Sequence, residues 1–81
     1  MNLYFEDRKG QMRLISTPAT IKEVWADMKQ FMDERNFRSY YTRINFDKSD
    51  ICFDVGSWSE FFHLQDFTEA DIAELKGGSS E

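Results

Sequence analysis

Thr20-Ile21-Lys22-Glu23-Val24-Trp25-Ala26-Asp27-Met28-Lys29-Gln30-Phe31-Met32-Asp33-Glu34 is the stretch on which the fold turns. Ile21, Val24, Trp25, Met28, Phe31 and Met32 recur at three- and four-residue steps, so they form one apolar stripe along an α-helix. Lys22, Glu23, Asp27, Lys29, Gln30, Asp33 and Glu34 occupy the remaining, solvent-facing positions. Thr20 followed by Glu23 is a capping box, which starts the helix at Ile21. The pattern runs out near Arg35-Asn36. A long helix with a single apolar stripe needs an apolar sheet face to cover it, and the flanking segments provide candidates.

Upstream, Leu3 and Phe5 alternate with Asn2, Tyr4 and Glu6, and Met12 and Leu14 alternate with Arg13 and Ile15. Both are period-2 strand patterns. Asp7-Arg8-Lys9-Gly10 is a turn, with Gly10 taking the left-handed position. Pairing Phe5 with Met12 and Leu3 with Leu14 places four apolar side chains on one face. Downstream, a turn at Asp47-Lys48-Ser49-Asp50 pairs Phe46 with Ile51, Ile44 with Phe53 and Thr42 with Val55, all on one face. The reverse face then pairs Asn45 with Cys52, Arg43 with Asp54 and Tyr41 with Gly56. Gly56-Ser57 bends the chain, and residues 60–65 form a further short extended segment. Thr68 caps a second short helix to about Lys76, with Asp71 at its third position and Phe67 stapled onto Ile72.

The expected fold class is therefore α+β: a small antiparallel sheet of two hairpins with one long amphipathic helix across one face, in the order ββαββ(β)α. Trp25, Met28 and Phe31 are expected to bury against Leu3, Phe5, Ile44 and Phe53. The 81 residues make one domain at most, placed at residues 1–76. Gly77-Gly78-Ser79-Ser80-Glu81 reads as an appended linker ending in a cleaved tag site.

Composition narrows the function classes. Eight Phe, three Tyr and two Trp in a chain with 31% charged residues describe a globular domain stabilised by aromatics. A single cysteine, Cys52, excludes an internal disulfide and a cysteine-rich metal site, which fits a reducing compartment. The opening residues have no basic and apolar leader pattern, and no apolar run approaches the roughly 20 residues of a membrane span. A cytoplasmic setting is expected.

Chemistry-bearing motifs are few. Cys52 and His63 are the one nucleophile-and-base pair on offer, but nothing in their spacing brings them together or adds an orienting third group. Asp47 and Asp50 flank a turn without the repeated acidic pattern of a calcium loop. The glycines are isolated, so no phosphate-cradling loop is expected. These residues predict no catalytic, metal or cofactor site. Arg13, Arg38 and Arg43 near Tyr4, Tyr40 and Tyr41 could stack nucleic-acid bases on an open sheet face. A net charge of −5 without a basic stripe weighs against that, and an ordinary solvated face accounts for the same residues.

Charge is unevenly distributed. Residues 1–46 hold eight Lys/Arg against six Asp/Glu, whereas residues 47–75 hold Lys48 against eight carboxylates. Such an acidic half serves solubility, or attracts a basic partner through field complementarity.

Leu3-Tyr4-Phe5, Tyr40-Tyr41-Thr42-Arg43 and Phe53-Asp54-Val55-Gly56-Ser57-Trp58-Ser59-Glu60-Phe61-Phe62 resemble small accessory proteins of phages and prophages of gut Firmicutes, over residues 1–65. That group includes small acidic inhibitors of host defence, anti-CRISPR proteins among them, and the resemblance carries no catalytic residues. It implies a non-enzymatic inhibitor in the bacterial cytoplasm that binds a basic, nucleic-acid-binding surface of a defence protein, a CRISPR nuclease foremost. The residues expected to carry partner binding are Asp50, Glu60, Asp66, Glu69, Asp71 and Glu74, with Trp58 and Phe61 as aromatic anchors. The competing expectation is a small phage regulatory module that binds nucleic acid through the Arg/Tyr face.

Overall fold

The structure, a computed structural model, describes residues 1–36, 42–56 and 60–77. Helix α1 (Ile21–Glu34) begins where its capping residue dictates: the Glu23 N–H donates to Thr20 Oγ1 at 3.2 Å. The Glu23 carboxylate reaches back to the Ala19 N–H at 2.9 Å, one residue earlier than a standard capping box would place it. The helix ends on Arg35, and Asn36 takes the left-handed conformation (φ 54°) that asparagine tolerates better than most residues.

Strands β1 (Asn2–Glu6), β2 (Met12–Ser16), β3 (Arg43–Phe46), β4 (Ile51–Asp54) and β5 (Phe61–Gln65), with helix α2 (Glu69–Gly77), complete the order ββαβββα. The protein is thus α+β, with a five-stranded antiparallel sheet and two helices. The strand order is β2-β1-β5-β4-β3, so β5 is central and the two hairpins flank it. Residues 60–65 were expected only as an extra extended segment. Their strand joins the hairpins because Phe62 and Leu64 match Phe5 and Leu3 on one side and Phe53 and Ile51 on the other.

The β3–β4 hairpin has the expected register: Arg43 with Asp54, Ile44 with Phe53, Asn45 with Cys52 and Phe46 with Ile51. Its ladder stops at Arg43–Asp54, short of Thr42, and Tyr41 lies outside the described residues. The β1–β2 hairpin departs from expectation by one residue. Glu6 pairs with Met12, Phe5 with Arg13 and Tyr4 with Leu14, and a bulge between Leu3 and Tyr4 then brings Leu3 opposite Ser16. The cause is the loop. The Asp7 N–H donates to the Gln11 carbonyl at 3.0 Å, and Asp7 Oδ1 accepts the Lys9 and Gln11 N–H groups, so the loop spans five residues. Gly10, at φ 81°, closes it. A one-residue shift turns a strand over, and Met12 and Leu14 consequently point away from the core, 44% and 51% exposed.

Both helices cover the same sheet face. Leu3, Phe5, Ile51, Phe53, Val55, Phe62 and Leu64 from the strand segments bury with Ile21, Val24 and Met28 of α1 and Leu75 of α2. Phe5, Phe31 and Phe62 form an aromatic triad with ring centroids 4.7–5.7 Å apart. Two expectations need correcting. Helix α1 has 14 residues, about 21 Å, an ordinary rather than a long helix. Trp25 is not buried. It remains 38% exposed at the edge of the stripe and meets Phe53 of the core edge-on, with ring centroids 5.5 Å apart. Helix α2 carries the full capping box: Thr68 N–H donates to Asp71 Oδ2 at 2.9 Å, and Asp71 N–H donates to Thr68 Oγ1 at 3.3 Å. Among the described residues no helix is long and apolar enough to cross a membrane.

Candidate functional site: the open sheet face

Strand alternation sends every second side chain to the face that neither helix covers. The registers align these residues in rows across all five strands. One row runs Leu14, Tyr4, His63, Cys52, Asn45, and the next runs Met12, Glu6, Phe61, Asp54, Arg43. The β2 end is apolar and exposed, whereas the middle is polar and half-buried.

His63 organises the middle. Its Nε2 lies 2.6 Å from Glu6 Oε1 and its Nδ1 lies 2.9 Å from Asp50 Oδ2, while Gln65 Nε2 donates to Asp50 Oδ1 at 3.1 Å. A neutral imidazole has one donor nitrogen and one acceptor. The two carboxylates bracket the ring, one beside each nitrogen. The His63 side chain is 14% exposed and those of Glu6 and Asp50 about a third, so the pairing is partly sheltered from water.

Cys52 sits directly opposite His63 in the β4–β5 ladder, a neighbour that sequence spacing did not foresee. The arrangement is a poor thiolate generator. Both ring nitrogens face carboxylates, which leaves no base for the thiol. Burial first, then the charges of Asp50, Glu6 and Asp54, push the Cys52 thiol above its ordinary value. Among the described residues no group of three or more His, Cys, Asp or Glu is placed to hold a metal ion.

The acidic residues expected to form one binding surface are divided. Asp50 is half-buried and engaged with His63 and Gln65 on the open face. Phe61 is half-buried on that face, in the row between Glu6 and Asp54. Asp71 is committed to the α2 cap. Glu69 and Glu74 are exposed on α2, which packs on the opposite sheet face, and Asp66 is exposed in the turn between β5 and α2. Glu60 is half-buried just before β5, and Trp58 lies outside the described residues. The Arg/Tyr grouping is also divided. Arg13 stands opposite Phe5 on the helix side of one edge strand, and Arg43 shares the open face with Tyr4 but on the other edge strand. Arg38, Tyr40 and Tyr41 lie outside the described residues.

Glu6, Met12 and Leu14 are site residues that sequence reasoning missed. The signal for Glu6 was its place in the β1 alternation, and for Met12 and Leu14 the length of the β1–β2 loop. No protein-family model matches the chain, and no curated protein or solved structure resembles it to a significant degree.

Proposed function

We propose that the protein is a non-enzymatic, phage-encoded inhibitor of a bacterial antiphage defence system, with a CRISPR nuclease as target. It acts by binding stoichiometrically to a basic, nucleic-acid-binding surface. The defence setting rests on the resemblance of residues 1–65 to phage accessory proteins. The observation that carries the binding reading is the open sheet face. Exposed Met12 and Leu14 adjoin half-buried Tyr4 and Phe61, beside the carboxylates of Glu6, Asp50 and Asp54. Aromatic and methionine side chains ringed by polar groups are what protein interfaces favour at their centres. The acidic groups suit a partner rich in lysine and arginine.

The test is a nuclease–DNA mobility shift with the chain and its Leu14→Glu variant added in turn. The expected result is that the chain abolishes the nuclease–DNA complex and that Leu14→Glu, which alters only an exposed side chain, weakens this at least tenfold. Inhibition unchanged by Leu14→Glu and Met12→Glu would remove the open face from the reading. A chain that leaves the nuclease untouched would end the defence assignment.

A further inference from the structure

Arg13 and Arg35 converge on one cleft at the β2 edge of the sheet, where α1 ends. The cleft has a volume of about 320 Å3 and is lined by Phe5, Asp7, Gln11, Met12, Arg13 and Arg35. The shifted β1–β2 register creates it, because the shift sets Arg13 opposite Phe5 on the helix side. Arg35, at the C-cap of α1, lies over two rings, with its guanidinium carbon 4.6 Å from the Phe31 centroid and 5.7 Å from that of Phe5. Stacking of this kind holds a guanidinium in place and leaves its N–H edge available.

The chain has 15 acidic residues against 10 basic ones, yet among the described residues neither guanidinium has a carboxylate within salt-bridge distance. The one carboxylate lining the cleft is turned to its own loop. Asp7 Oδ1 accepts the Lys9 N–H at 2.9 Å and the Gln11 N–H at 3.0 Å. The Gln11 amide is the largest influence holding that carboxyl below its ordinary range, and the Lys9 amide and the charges of Lys9 and Arg13 lower it further. The lining thus carries two positive charges against one negative charge already engaged, and Arg8 and Lys9 are exposed on the same loop.

We propose that this cleft binds a phosphate group, gripped by the guanidiniums of Arg13 and Arg35. Two planar forks have more donors than one carboxylate can accept, and a phosphate offers the oxygens to meet both. The group can belong to a free nucleotide or to a nucleic-acid backbone. The proposal does not rest on the inhibitor reading, which concerns the other sheet face; Met12 of β2 borders both.

The experiment is an amide chemical-shift titration of the full chain at constant ionic strength with sodium phosphate, acetate and chloride. Parallel titrations use a nucleoside monophosphate and a short single-stranded oligonucleotide. Phosphate should give saturable shifts at Gln11, Met12, Arg13 and Arg35, and chloride should give none. Arg13→Gln, a change at an exposed edge position, should weaken binding roughly tenfold, and Arg13→Lys by less. Arg35→Gln should act similarly, measured beside its melting temperature because Arg35 also covers Phe31. Tighter binding of the monophosphate than of the oligonucleotide, counted per phosphate, identifies a free nucleotide as the source, and the reverse order identifies a backbone. Shifts that chloride or acetate reproduces, or that survive unchanged in Arg13→Gln, overturn the proposal.

Discussion

At the scale of the residue, the most informative side chains are Cys52 and His63. Their adjacency looks like the start of a thiol catalyst, but the carboxylates around them reverse the chemistry. Glu6 and Asp50 occupy the two imidazole nitrogens and add negative charge where a thiolate would have to form. A thiol whose folded pKa is raised contributes stability that is present below its unfolded value, near 9.0, and is lost as pH rises beyond it. Cys52 should accordingly react with iodoacetamide at pH 7.5 more slowly in the folded protein than in urea, and Asp50→Asn should narrow the gap. A folded-state rate equal to or above the unfolded one would contradict this account. None of this was legible in the sequence. Residues 11 positions apart meet only because β4 and β5 are ladder neighbours, and Glu6 arrives from 57 positions away.

At the scale of the element, legibility follows locality. The α1 stripe, both Thr caps and the β3–β4 register are set by residues within one turn or one tight hairpin, and all could be read directly. The β1–β2 register hinges on whether four or five residues make the loop, a choice decided by the Asp7 side chain bonding its own backbone. Trp25 shows a different limit. Periodicity assigns it to the stripe, but it stands at the stripe's edge, 38% exposed, with its ring edge-on to Phe53. Met28→Ala should therefore cost about 3 kcal/mol, because a fully enclosed side chain leaves a cavity. Trp25→Ala should cost only about 1–2 kcal/mol, since much of the indole already faces water. Urea unfolding of the two variants measures the difference, and a larger loss for Trp25→Ala would place the indole inside the core instead.

At the scale of the whole molecule, charge is shared between two sides rather than gathered on one. Glu69 and Glu74 project from α2 and Asp66 from the turn before it, whereas Asp50 and Asp54 belong to the open face. If the open face meets the partner, the α2 carboxylates act through their field rather than by contact. Glu69→Lys with Glu74→Lys should then slow association several-fold at low salt and have little effect at high salt, with the dissociation rate unchanged. Stopped-flow or surface-binding kinetics at two ionic strengths would show it, and a salt-independent rise in the dissociation rate would instead make α2 part of the contact. The strand order has a further consequence, for synthesis. Among the described strands β1 precedes the others in the chain yet sits between β2 and β5, and β5 follows the other four. On the ribosome the emerging chain can form its two hairpins and α1, yet their apolar faces stay unjoined until Phe61–Gln65 leaves the exit tunnel. The central strand joins the two hairpins late, so a chain stalled before Phe61 should be cleaved by protease faster than the released chain.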